Sequence, residues 1–210
     1  MAAGTIPHGA KYPSVPRRFV EGGLGTWHAV AIRMTTFFRR LMGVLMLEAS
    51  AYEEIEAHPR AGMQSVLVVL AVTAAGGFAG FGLGLIGIAG FVTGAVVALG
   101  GWLVWVSIIS TLGTTALAEP QTRSNPRELL RTLGFASAPG MFLGFAAIRP
   151  AAPVVFVIVA VWMIAAAVLA VRQALDFRHA ARAVAVCVLA WLLTMAFVAV
   201  VALIASRSVT

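Results

Sequence analysis

Charge is what this chain has least of. Only 11% of its 210 residues are charged, 60% are hydrophobic and the mean hydropathy is +0.95. Soluble domains carry about 25% charged residues, so an ordinary water-soluble fold is excluded. Cysteine is almost absent too: Cys187, alone in an apolar run, excludes an intrachain disulfide and a cysteine-based metal cluster and reads as a packing residue. The four histidines, His8, His28, His58 and His179, show no ligand spacing. No H-E-x-x-H, no G-x-S-x-G and no Gly-rich loop ending in Lys-Ser or Lys-Thr is present. The expectation is a protein that is not an enzyme and holds no metal or cofactor.

What remains is apolar sequence punctuated by arginine. The net charge is +7, yet the basic residues lie between and beside apolar runs and form no continuous stripe, so nucleic acid is not an expected partner. No charge occurs in the 58 residues from 61 to 118. As helix they would run roughly 87 Å at about 1.5 Å per residue, against a bilayer core of about 30 Å, so they form two spans. The fold-back is expected in GLGLIGIAG, residues 82 to 90, where glycine is dense. Residues 150–171 and 183–206 supply 22 and 24 uncharged residues for a fourth and a fifth span.

The third span is the unusual one. RELLRTLGFASAPGMFLGFAAIRP, residues 127 to 150, starts with charge and leaves only 17 uncharged residues, 132 to 148. The charges occupy the first turn or so instead of recurring along one face, which excludes a soluble amphipathic helix. It therefore reads as a short span anchored by Arg131 at headgroup level. Pro139 is expected to bend it, since its ring removes an N–H and clashes with the Phe135 carbonyl, while Gly134 and Ser137 accommodate the defect.

Five spans put the termini on opposite sides. Seven basic residues before the first span and three at each of the second and fourth connections share one side; one at the third connection and Arg207 share the other. That distribution, thirteen against two, predicts a cytoplasmic N-terminus and an outside C-terminus. The fold class is thus all-α: an integral membrane bundle of five transmembrane helices with a cytoplasmic amphipathic N-terminal helix. The expected divisions are a weakly structured tail over 1–25, with no apolar core for a signal peptide, interfacial helices over 26–60, and the membrane domain over 61–206.

Before the first span, Trp27, Val30, Ala31, Met34, Phe38, Leu41, Met42 and Leu45 fall on one side of a helical wheel, with Arg33, Thr36, Arg39 and Arg40 toward the other. Such a helix suits the cytoplasmic headgroup region, or alternatively packs beneath the bundle. Ser50 with Glu53 fits a capping box for a second short helix closed by Pro59. Glu53, Glu54 and Glu56 make that helix the acidic patch of the chain, either a solvated face that neutralises nearby arginines or a docking surface.

Inside the membrane, Gly76, Gly80 and Gly84 form a small-residue stripe expected to pack against a helix. Ser107, Ser110, Thr111 and Thr114 line one face of the second span, where hydroxyls bond to i−4 carbonyls or across helices, with a polar substrate path as the lesser alternative. Every charge lies near a span end, whereas a transporter normally keeps one near the midplane. At the cytoplasmic collar, Arg127, Glu128 and Arg131 enter near the level where Arg172 and Asp176 leave. Asp176 opposes the helix dipole, so either a cation, Arg172 or Arg131, is its partner or all five are solvated interfacial residues.

The order of an acidic segment, five spans, EPQT…RELLRTLGFASAPG and VRQALDF resembles bacterial members of the Yip-domain family over about residues 37 to 205. Gly134-Phe135 followed by Pro139 is similar to the family's Gly-Tyr-x-x-x-Pro signature, with Phe in place of Tyr. The eukaryotic members, which bind Rab/Ypt GTPases, also carry an Asp-Leu-Tyr-Gly-Pro stretch; here different residues, around Tyr52 to Pro59, hold its place. The resemblance implies a non-enzymatic role in organising membrane or partner proteins: a scaffold, adaptor or accessory subunit in the bacterial cytoplasmic membrane. A small-solute transporter or channel is the alternative class. The partners expected are the bilayer and another membrane protein or complex, with a homo-oligomer left open.

Overall fold

The computed structural model describes residues 33–118 and 125–207. They divide into two units, one ending at Phe38 and one beginning at Arg39. In the first, residues 33–38 are helical, and the Phe37 and Phe38 rings meet edge to face at 5.6 Å. Trp27, Val30, Ala31 and the 1–25 tail lie outside the described residues.

The second unit is all helical among its described residues. It contains α1 (39–45), α2 (Ala49–Ala57), α3 (Ala61–Gly82), α4 (Ile88–Thr114) and α5 (Pro126–Ala136). A 3-10 segment over Ala138–Ala147 and a 3-10 turn over Arg149–Ala151 follow, then α6 (Ala152–Ala174) and α7 (Ala180–Arg207). Five of these stretches are long and apolar enough to cross a bilayer, the third being Pro126–Ala147, so the protein is an integral membrane helical bundle. The fold-back between the first two falls at 83–87, within the expected glycine-dense stretch.

The least hydropathic span is the innermost. Its mean hydropathy is 1.2 and 67% of it is buried, against at most 28% of the other four. Residues 131 to 140 are all buried, packed on α3 and α6. Spans facing lipid need apolar side chains throughout, whereas an interior span exchanges lipid for protein and tolerates arginine, threonine and serine.

Local chemistry explains its shape. Asn125 caps α5, its side chain accepting from the Arg127 N–H at 3.1 Å, and Pro126 occupies the first turn, where a missing N–H costs nothing. The helix closes at Ala136, and the Ser137 hydroxyl donates to the Gly134 carbonyl at 2.7 Å. From Ala138 the backbone is 3-10 for ten residues. The expected bend is thus a change of helix type. At about 2.0 Å rise per residue, the uncharged stretch reaches roughly 30 Å, which an α-helix of that length would not.

The capping box is corrected. α2 begins one residue before Ser50, its N-cap is Glu48, and no side chain caps it. Its close before Pro59 stands as expected.

The Gly76/Gly80/Gly84 stripe is also corrected. A side chain on Gly76 would meet nothing within 4 Å, and one on Gly80 would meet Ile86 of the following turn. Gly84 lies beyond α3 at φ +76°, where Leu85 N–H reaches the Gly80 carbonyl and Gly84 N–H the Phe81 carbonyl, a Schellman cap. Close approach instead occurs at Gly77 against Phe91, Gly82 against Ala147, Gly134 against Ser65 and Gly140 against Val72. One face of the helix turns to lipid and its neighbour turns to protein.

α1 and α2 form a hairpin alongside the spans. Trp162, midway along α6, donates its indole N–H to the Leu45 carbonyl at 3.0 Å, placing the end of α1 within a side chain's reach of the middle of a span. Met42 and Met46 at that tip are exposed. In the second unit the helix is therefore neither beneath the bundle nor confined to its end.

Candidate functional site

The hairpin returns through α2 to the end of the bundle where α3 and α5 begin and α6 finishes. Tyr52 and Ile55 anchor it, both fully buried, and burial pushes the Tyr52 phenol well above its ordinary range.

The three glutamates of α2 have separate surroundings. Glu54 accepts from Arg39 at 2.8 Å and from Arg40 at 3.1 Å, and Arg40, itself buried, reaches Gln64 of α3 at 2.7 Å. Partial burial alone would raise the Glu54 carboxyl, but the two guanidiniums hold it below its ordinary value. Glu54 therefore fastens the hairpin. Glu53 is exposed and accepts from Gln173 of α6 at 3.4 Å. Glu56 is pushed up to about 7, first by burial, then by the negative charges of Asp176 and Glu128.

Arg131 joins these elements. It is 9% exposed, donates through Nη2 to the Glu56 carbonyl and stands 3.9 Å from Glu128. Its Nε is buried with no acceptor in reach within the protein.

Asp176 has a backbone reason for its position that the helix-dipole argument passed over. It sits at φ +53°, with Asp176 N–H on the Gln173 carbonyl and Phe177 N–H on the Arg172 carbonyl. That is a Schellman cap on α6, and aspartate is among the few side chains that tolerate the left-handed region. Arg172 is exposed on the last turn.

Between α2, the start of α3, α4 and the start of α5 lies a cleft of about 930 Å³. Glu53, Glu56, Arg127, Glu128 and Arg131 line it together with Trp102 of α4. The Trp102 Nε1 is also buried without an acceptor in the protein. The structure thus brings Glu53, Glu56 and Arg131 into one site. Gly134, fully buried Phe135 and Pro139 lie deeper in the same span as packing positions. Trp102 went unmarked in the sequence because it sits in a charge-free run, where only its indole N–H distinguishes it from its neighbours.

The hydroxyl face of α4 bonds within its own helix. Ser107 donates to Leu103, Thr111 to Ser107 and Thr114 to Ser110, at 2.7–3.0 Å, and all three donors are exposed. Ser110 receives that bond on its carbonyl and is half-buried. Among the described residues no three His, Cys, Asp or Glu side chains are grouped to hold a metal ion. No family model, curated protein or solved structure matches the chain.

Proposed function

We propose that the chain is a non-enzymatic membrane scaffold or adaptor, or the accessory subunit of a larger membrane complex, engaging its partner through the charged surface around α2. The observation that carries this reading is how that surface is fastened. Arg40, Arg131 and Trp162 tie the hairpin to three different spans. A docking surface already held in place loses little freedom when a partner binds. The basic-residue distribution supports a cytoplasmic location for it, with the C-terminus outside. Resemblance to bacterial Yip-domain proteins, resting on Gly134, Phe135 and Pro139, supports the bacterial cytoplasmic membrane and a role in organising other proteins. The proposal does not extend to GTPase binding, because the second signature differs here.

The close-packed third span supports this reading over a small-solute transporter or channel, since residues 131 to 140 fill the bundle interior. Purification in mild detergent at native expression tests it: a stoichiometric membrane partner is expected to travel with the protein. Glu53→Gln with Asp176→Asn is expected to cut recovery several-fold, asparagine preserving the left-handed cap. Uptake of solute by proteoliposomes of the pure protein would establish the rival class.

A further inference from the structure

We infer that the cleft between α2, α3, α4 and α5 binds the headgroup of an aminophospholipid. The phosphate rests on Arg131 and Trp102, the primary ammonium lies between Glu56 and Glu128, and the acyl chains leave between α3 and α4. The inference rests on reading the chain as a binding protein, but lipid retention and partner recovery are separate measurements, so either can fail alone.

Three observations converge. Arg131, more than nine-tenths buried, and Trp102 each hold an N–H donor with no acceptor in the protein, and both line the cleft. A buried donor without an acceptor is costly, and a phosphate oxygen meets both needs, with charge assistance from the guanidinium. Carboxylates stand opposite. Glu53, Glu56 and Glu128 share the cleft, and the Glu56 carboxyl is raised first by burial and then by the negative charges of Asp176 and Glu128, which Arg131 offsets only in part. An ammonium group placed there relieves that repulsion. The third observation is apolar: Val66 on α3 and Leu103 on α4 line the cleft yet are 52% and 51% exposed, each within a membrane span. The cleft therefore continues from charged groups to a lipid-facing surface.

The charge balance selects the headgroup. Three carboxylates against Arg127 and Arg131 disfavour a purely anionic lipid. Choline carries a cation but has no N–H to donate to the carboxylates. Phosphoethanolamine carries both the phosphate and the donating ammonium, and a cleft of this volume falls within the ordinary range of small-molecule sites.

Native mass spectrometry of the full chain in mild detergent tests the assignment, with dioleoyl phosphatidylethanolamine, phosphatidylglycerol and phosphatidylcholine offered singly, and soluble phosphoethanolamine as competitor. One phosphatidylethanolamine should be retained, about tenfold more tightly than either other lipid. Trp102→Phe, which keeps an aromatic ring but removes the donor with part of the indole, should weaken retention about three- to tenfold without lowering the unfolding midpoint to the same extent as a loss of the fold would. Glu56→Gln with Glu128→Gln, both near-isosteric changes, should erase the preference over phosphatidylglycerol. Equal retention of the three lipids, or variants that bind like the parent, would overturn the inference. Soluble phosphoethanolamine displacing the lipid at equal concentration would also overturn it, by showing a water-soluble ligand.

Discussion

Single positions separate packing from pattern. A methyl group on Gly134 would stand 2.7 Å from the Ser65 Cβ, at a crossing of two helices, so Gly134→Ala is expected to cost about 1–3 kcal/mol as overpacking. Gly76→Ala, with open space around it, should stay within about 0.5 kcal/mol. Midpoints of thermal unfolding in detergent measure both, and Ser65→Gly should recover part of the Gly134→Ala loss. A fall at Gly76 equal to that at Gly134 would restore the stripe as a packing seam. Glu56 makes a second residue-scale prediction. Its carboxyl, raised from 4.5 to about 7, binds a proton more tightly in the folded chain. Its stabilising contribution is complete below pH 4.5 and is lost as pH rises through about 7. Glu56→Gln should flatten the decline in stability across that window, measured by unfolding midpoints at stepped pH. An unchanged slope would count against it.

Helix ends show the next level, and they explain why some of the sequence was readable and some not. The span count, the glycine-dense fold-back and the interruption at Pro139 were legible because length, charge and a missing N–H act locally. The length of the 3-10 segment was not, since no local signal marks it; its Gly140 lies against Val72 of α3 and Met163 of α6, contacts that only the packed bundle brings together. Arginines show the same divide. Arg131 donates to the Glu56 carbonyl near the end of α2, Arg149 to Leu83 at the end of α3, and Arg182 to Leu117 and Ala118 just beyond α4. The first two satisfy carbonyls that a helix leaves without partners and place positive charge at the negative end of its dipole, whereas Arg182 ties down the turn that follows α4. In sequence Arg149 and Arg182 read only as topology signals, and Arg131 as an anchor and a candidate partner of Asp176, because the carbonyls they reach lie far away along the chain. Arg149→Met is expected to destabilise the α3 end by about 0.5–2 kcal/mol. Hydrogen exchange at 83–87 should then quicken while exchange within α5 stays unchanged; uniform acceleration would mean that the bundle itself had loosened.

At the scale of the whole chain, five spans require the two ends of the membrane domain to face opposite compartments, and the proposed orientation is open to direct labelling. Single cysteines at Thr122, Ala151 and Ser208 in a Cys187→Ala background should label from inside, outside and outside respectively. Thr122 and Ser208 lie outside the described residues, so this test rests on chain order and charge alone. Outside labelling at Thr122 would reverse the assignment. The candidate site was half legible at this scale. Glu53, Glu56 and Arg131 could be singled out by charge in an apolar chain, whereas their meeting with Trp102 needed the packing of four helices.

The arginine caps also impose an order in time. A carbonyl and the arginine that reaches it are separated by 75 residues for Arg131, 66 for Arg149, and 65 and 64 for the Leu117 and Ala118 carbonyls that accept from Arg182. At a synthesis rate of about 5–20 residues per second, each helix waits roughly 3–15 s before its cap has been made. The Leu45 carbonyl waits longer, since Trp162 follows it by 117 residues. During synthesis these ends therefore stay open until a later span arrives: the end of α1 waits longest, and the stretch after α4 is the last to be fastened, because Arg182 is made after Trp162.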